Sequence, residues 1–162
     1  MDSARTWLKL KQRGTRRIGL VASSGARRLR AYGLDVTADL SVEEWFLNPK
    51  KDVRSSFSLE TVCTEFGIQG LELDWTCVCW GRDFVPSDSG WSYFSFRGTK
   101  WQNVNQAIRK KYILNKYRVL LTRAREGMVI WVPEGDRRDS TRSPERYEAI
   151  NSYLMDCGIP EI

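Results

Sequence analysis

Arg17-Ile18-Gly19-Leu20-Val21-Ala22-Ser23-Ser24-Gly25-Ala26-Arg27-Arg28-Leu29 is the stretch that decides the fold class. Its first half is an uninterrupted apolar run with no polar alternation, the pattern of a strand buried on both faces. Ser23-Ser24-Gly25 follows as a tight turn, with a serine placed to cap a helix over Ala26–Tyr32 that Gly33 would end. Strand, turn and helix in this order make half of a βαβ unit.

The pattern repeats outward from there. Trp75–Trp80 is a second apolar run, Thr61–Phe66 is β-branched, and Met128–Val132 is a strand stopped by Pro133. Between them the sequence predicts a basic helix over Ser3–Arg13 and a short one over Val42–Phe46, capped by Ser41 with Pro49 beyond. Gly67–Asp74 reads as a loop or a single helical turn. Gln102–Lys116 reads as a helix that continues through Tyr117–Arg125 until Gly127 stops it. A polar linker, Asp136–Arg142, leads to a last helix from Ser143 to Cys157, with Pro144 at its first position and Gly158 beyond its end. Trp91–Phe96 alternates in the strand period before a Gly98-Thr99 turn, so residues 82–100 are expected to form an inserted β-hairpin. The expectation is one domain over residues 1–162, a three-layer α/β fold with a mostly parallel sheet.

Composition narrows the chemistry. The chain has 162 residues, 41% of them hydrophobic and 12% aromatic, which suits a globular domain with a real core. No run approaches the ~18 apolar residues of a membrane span. The first 14 residues are basic and polar, unlike a signal peptide. There is no histidine, so a Ser-His-Asp triad, a Cys-His pair and an HExxH zinc site are all excluded. The four cysteines lack the paired CxxC spacing of a thiolate zinc site, and no metal site is expected. Cys77 and Cys79, two apart on a strand, are expected to be buried and reduced, as in a cytoplasmic protein.

The net charge of +6 is unevenly spread. Residues 1–31 carry nine basic side chains and one acid, and residues 97–125 carry nine basic side chains and none acidic. Trp91, Tyr93, Phe94, Phe96 and Trp101 lie beside the second block. Basic residues next to aromatics suit single-stranded nucleic acid, and equally a solvated helix face over core aromatics.

Two segments carry specific chemistry. In Thr64-Glu65-Phe66-Gly67-Ile68-Gln69-Gly70-Leu71-Glu72-Leu73-Asp74 the glycines permit close backbone approach to a ligand, Gln69 offers an amide, and Glu72 could accept a sugar hydroxyl. In Tyr117-Arg118-Val119-Leu120-Leu121-Thr122-Arg123-Ala124-Arg125-Glu126-Gly127 two arginines near a predicted helix end could each aim a planar fork at a phosphate.

Together the segments resemble motifs V and VI of superfamily 1 helicases, in the right order and each followed by an apolar strand. Arg17–Leu29 resembles the motif IV region that opens the second RecA-like domain. The Gln69–Trp75 and Leu120–Gly127 wording is most similar to the Schlafen group 3-like DNA/RNA helicase domain. The resemblance implies roles. Arg123 would be the arginine finger on the γ-phosphate, and Glu72 the ribose contact. Gln69 and Gly70 would lie near the γ-phosphate, and Thr64 on the nucleic-acid face. Arg27 or Arg28 would pack on the base. Lys110 and Lys111, in the second basic block, are expected on nucleic acid. Many relatives carry histidine where this chain has Phe66.

The P-loop GxxxxGK[ST] is missing, and no strand ends in paired acids for magnesium. The sequence therefore implies the second lobe of a nucleic-acid-dependent ATPase. ATP with Mg2+ would bind only when a P-loop lobe pairs with it, in cis or in trans, and the chain alone would not hydrolyse ATP. Two other readings stand beside this one: a non-enzymatic module that kept the fold to bind DNA or RNA, and a protein-interaction domain docking through Trp91–Trp101.

Overall fold

The computed structural model describes residues 1–162. Four strands, β1 (Ile18–Ala22), β2 (Val62–Thr64), β3 (Leu73–Cys79) and β7 (Ala124–Trp131), form one sheet in the order β2-β1-β3-β7. Every pairing in it is parallel. A parallel sheet needs cover on both faces, and β1 is buried at all five positions. On one face Ile18, Leu20, Ala22, Cys77 and Cys79 pack with Ala4 and Leu8 of α1 (Asp2–Lys11) and with Leu29 and Leu34. On the other, Val21, Cys63 and Val78 pack with Trp45 of α2 (Val42–Leu47), Ile68 of α3 (Glu65–Ile68) and Leu120 of α4 (Ala107–Leu121). Leu73 joins this second face because the register shifts between Leu73 and Trp75. The result is the expected three layers. Trp45 lies so close over β1 that a Cβ on Gly19 would stand 2.9 Å from its ring and 2.9 Å from Leu73 Cδ1.

A second, antiparallel sheet of β4 (Phe84–Ser87), β5 (Gly90–Arg97) and β6 (Lys100–Asn103) forms a wing. Trp91 and Tyr93 of the wing pack on a separate core of Trp80, Phe84, Tyr117, and Tyr147 and Ile150 of α5 (Pro144–Asp156).

Several expectations need correction. The inserted hairpin is a three-stranded meander, because Lys100–Asn103 pairs back onto Phe94–Arg97. The helix therefore starts at Ala107 rather than Gln102. It ends at Leu121, and Ala124–Gly127 is already strand. Gly127 is no helix stop; its missing Cβ leaves room for Trp75, whose Cζ3 would stand only 2.5 Å away. The segment after the serine turn is a 3₁₀ helix, Arg27–Tyr32, ended by Gly33 at φ 83 as expected. No serine caps it, because Ser23 Oγ donates to Asp83 and Ser24 Oγ to Glu65. Ser41 does cap α2, accepting from Glu44 N at 3.3 Å. Ser143 precedes the last helix without a side-chain cap bond, and that helix ends at Asp156. Cys77 and Cys79 are buried free thiols with Sγ atoms 3.8 Å apart.

Candidate functional site

Because the strands are parallel, the residues of interest fall at the two ends of the sheet. At the amino end, Leu73 N donates to the Arg123 carbonyl at 3.1 Å, and Leu73 pairs with Ala124. Glu72 and Arg123 thus precede two adjacent strands and stand next to each other. Glu72 is exposed. The Arg123 guanidinium makes a single long hydrogen bond, 3.4 Å to Thr122 Oγ1, and its Nε is buried without a partner. Arg125 differs, with Nη1 3.9 Å from Asp74 Oδ1. Asp74 in turn accepts from Arg17 N at 2.6 Å. The short side chain of Thr122 closes the helix by donating to the Arg118 carbonyl at 2.8 Å, and this hands Arg123 to the strand end.

The carboxyl end is polar and deeply built. Glu65, 6% exposed, accepts from Ser24 N at 2.7 Å and Ser24 Oγ at 2.6 Å, and faces Lys116 Nζ at 3.0 Å. Beneath lies Asp83, 1% exposed, which accepts from Ser23 Oγ and from the Tyr117 hydroxyl at 2.7 Å. Burial pushes the Asp83 carboxyl above its usual range, and the hydrogen bonds from Ser23 and Tyr117 only partly offset this. Burial and the Asp83 carboxylate together push the Tyr117 hydroxyl well up. Tyr117 Oη also accepts from Gly81 N at 3.1 Å, so the network ties the ends of β1 and β3 to α4.

Above this floor runs an open cavity of about 860 Å³ along α4. Phe66 and Gln69 form one wall, Phe94 and Arg97 of the wing the other, and Arg109, Tyr112 and Lys116 project from the helix. Tyr112 is 59% and Phe66 70% exposed. Positions 109, 112, 116 and 119 follow the helix period and share one face, so the helix period was the signal that could have found them.

The sequence-predicted residues divide accordingly. Thr64 ends β2 at the carboxyl end, half-buried, and Gln69 lines the cavity. Gly70 turns the chain at φ 83 towards Glu72. Arg27 is exposed at the carboxyl end, across the sheet from Glu72 and Arg123, and the fold does not bring it to them. Arg28 is held by Asp139 at 2.6 Å. Lys110 and Lys111 do not line the cavity. Lys110 lies 5.9 Å from the Tyr93 ring, and Lys111 is exposed. Their neighbours Arg109 and Tyr112 take that place, and sequence reasoning missed both, along with Lys116 and Arg97.

No curated protein and no solved structure matches the chain. The family model described as Schlafen group 3, DNA/RNA helicase domain, matches residues 1–134. That span holds both motif segments, both sheets and α1 to α4, leaving only the last helix and its approach outside. With its parallel sheet, its two motif-bearing strand ends and this match, the chain belongs to the Schlafen group 3 DNA/RNA helicase domain family.

Proposed function

We propose that this chain is the second, RecA-like lobe of a helicase-like ATPase that works on nucleic acid. Arg123 serves as the arginine finger. Glu72 beside it takes the ribose, and Gly70 turns the chain from the cavity wall at Gln69 towards Glu72. A P-loop lobe, in cis or in trans, holds the triphosphate and Mg2+. The observation that carries the reading is the unpaired Arg123 guanidinium next to an exposed Glu72 at adjoining strand ends. An arginine without a carboxylate partner is free to meet charge that develops on a transferring phosphoryl group. The cavity along α4 takes a single strand of DNA or RNA. Tyr112 and Phe66 give stacking faces there, and Arg97 and Arg109 meet phosphates, while Lys116 stays on Glu65.

Binding of a labelled single-stranded oligonucleotide at several salt concentrations tests the cavity. Arg109→Ala should weaken binding to every sequence and reduce the salt slope by about one ion. Lys111→Ala, outside the cavity, should change binding little. Equal effects of the two substitutions would remove the cavity from the account. The second reading, a binding module without an ATP cycle, draws on the absence of GxxxxGK[ST] from the sequence. It predicts that nucleotide never alters the affinity, even with a P-loop lobe present.

A further inference from the structure

Four arginines gather at the carboxyl end of the sheet, across it from Arg123. They come from the 3₁₀ helix after β1, the loop after β3, the approach to α5 and the first turn of α5 itself. Arg28 lies over Phe96 at 5.6 Å, and Arg82 over Phe94 at 5.9 Å and Trp101 at 5.8 Å. Arg146 lies over Phe94 at 5.8 Å, and Arg142 over Tyr32 at 5.3 Å.

Two carboxylates serve this group, and they serve only half of it. Asp139 takes Arg28 at 2.6 Å and Arg142 at 2.8 Å, and Asp136 takes Arg142 at 3.1 Å. Arg82 and Arg146 have no carboxylate, although they share the Phe94 ring. Arg82 is fixed by Nη1 donating to the Ser140 carbonyl at 2.8 Å. Burial and then the nearby Arg146 charge lower its proton affinity, and the more distant Asp139 carboxylate offsets this only in part. Three buried polar atoms close by have no partner: Arg82 Nε, Arg28 Nε and the hydroxyl of Tyr147. Tyr147 is 1% exposed. Leaving buried donors without partners is costly, and the partly buried Arg82 beside the exposed Arg146 adds positive charge with no carboxylate in contact; an anion with several acceptor oxygens would relieve both.

We propose that Arg82 and Arg146, with Tyr147 and Arg28, form a site for a phosphate dianion. Two guanidinium groups without carboxylates match a dianion in charge, and their planar forks match its oxygens in shape. The ligand is either the terminal phosphate of a nucleic-acid strand or free phosphate. Arg28 and Arg82 lie inside the span the family model matches, and Arg146 and Tyr147 lie beyond it. It does not depend on the ATP reading.

The test has two arms. In the first, inorganic phosphate is added at constant ionic strength, with chloride as control, and Tm is followed. In the second, binding of a single-stranded oligonucleotide is compared with and without a terminal phosphate, at its 5′ and its 3′ end. The proposal expects a Tm rise with phosphate, about tenfold tighter binding of one phosphorylated oligonucleotide, or both. Either effect should disappear in Arg146→Gln while the affinity for the unphosphorylated strand stays unchanged. A phosphate-dependent Tm with no oligonucleotide preference identifies free phosphate as the ligand, and a preference identifies the strand end. Arg82→Gln loses the Ser140 contact and could fail to fold. Arg146, whose side chain makes no hydrogen bond, keeps the test decisive. Neither effect in the wild type, or effects that survive Arg146→Gln, would overturn the proposal.

Discussion

Asp83 and Asp139 are both enclosed by hydrogen bonds, yet their carboxyls shift in opposite directions. Burial dominates at Asp83 and raises its carboxyl above the ordinary value of 3.8. The folded protein then keeps a proton that the unfolded chain releases, so this group's contribution to stability falls as pH rises from 3.8 through the raised value. Asp83→Asn keeps an acceptor for the Tyr117 hydroxyl and removes that loss. Urea unfolding at pH 4, 5.5 and 7 should show the variant gaining relative to wild type as pH rises, and parallel curves would refute it. At Asp139 the hydrogen bonds from Arg142, Thr141 and Arg28 outweigh burial and hold the carboxyl well below 3.8. Its contribution is present above 3.8 and lost as pH falls towards the depressed value. Asp139→Asn should lower Tm at pH 7, and the difference from wild type should shrink below pH 3.8. A constant difference across that range would show that ionisation of Asp139 is not what holds Arg28 and Arg142.

At the scale of elements, the strands were legible and α4 was only partly so. β1 and β3 are written as apolar runs because both of their faces are covered, and the sequence pattern carries that burial directly. Gly19 is the small residue that lets Trp45 close over β1. Gly19→Ala should destabilise the fold by roughly 1–3 kcal/mol through overpacking, measurable by denaturant unfolding, whereas an unchanged midpoint would mean that Trp45 moves freely. The wing and α4 were harder to read. Gln102 is polar and suits a helix by local preference. Its strand state comes from pairing with Ser95, a tertiary fact with little local signal. The site followed the same division. Glu72 and Arg123 were legible only through the resemblance to helicase motifs V and VI; the local pattern put Arg123 on a helix, whereas it immediately precedes β7. Lys110 and Lys111 were chosen for charge, and the helix period turned Arg109 and Tyr112 to the cavity instead. Tyr112→Ala should weaken single-strand binding by ~1–3 kcal/mol if a base stacks there, and unchanged affinity would leave the ring without that role.

The molecule as a whole is divided by its parallel sheet. The amino end presents Arg123 and Glu72, and the carboxyl end presents the α4 cavity over the Glu65–Ser24–Lys116 and Asp83–Tyr117 networks. The helix α4 runs from one end to the other, with Lys116 and Tyr117 tied to the networks and Thr122 handing the chain to Arg123. A helicase lobe needs such a link between nucleic acid and nucleotide, and α4 is the element that spans the two ends. The central claim is that this arrangement completes an ATP site belonging to another lobe. The most direct measurement is steady-state ATP hydrolysis by this domain joined to, or mixed with, a P-loop lobe of the same family, with and without single-stranded nucleic acid. The account predicts no turnover by the domain alone, nucleic-acid-stimulated turnover by the pair, and a fall of about 10³-fold on Arg123→Ala with binding of the strand preserved. Turnover by the isolated chain, or turnover by the pair that is unchanged in Arg123→Ala, would contradict it.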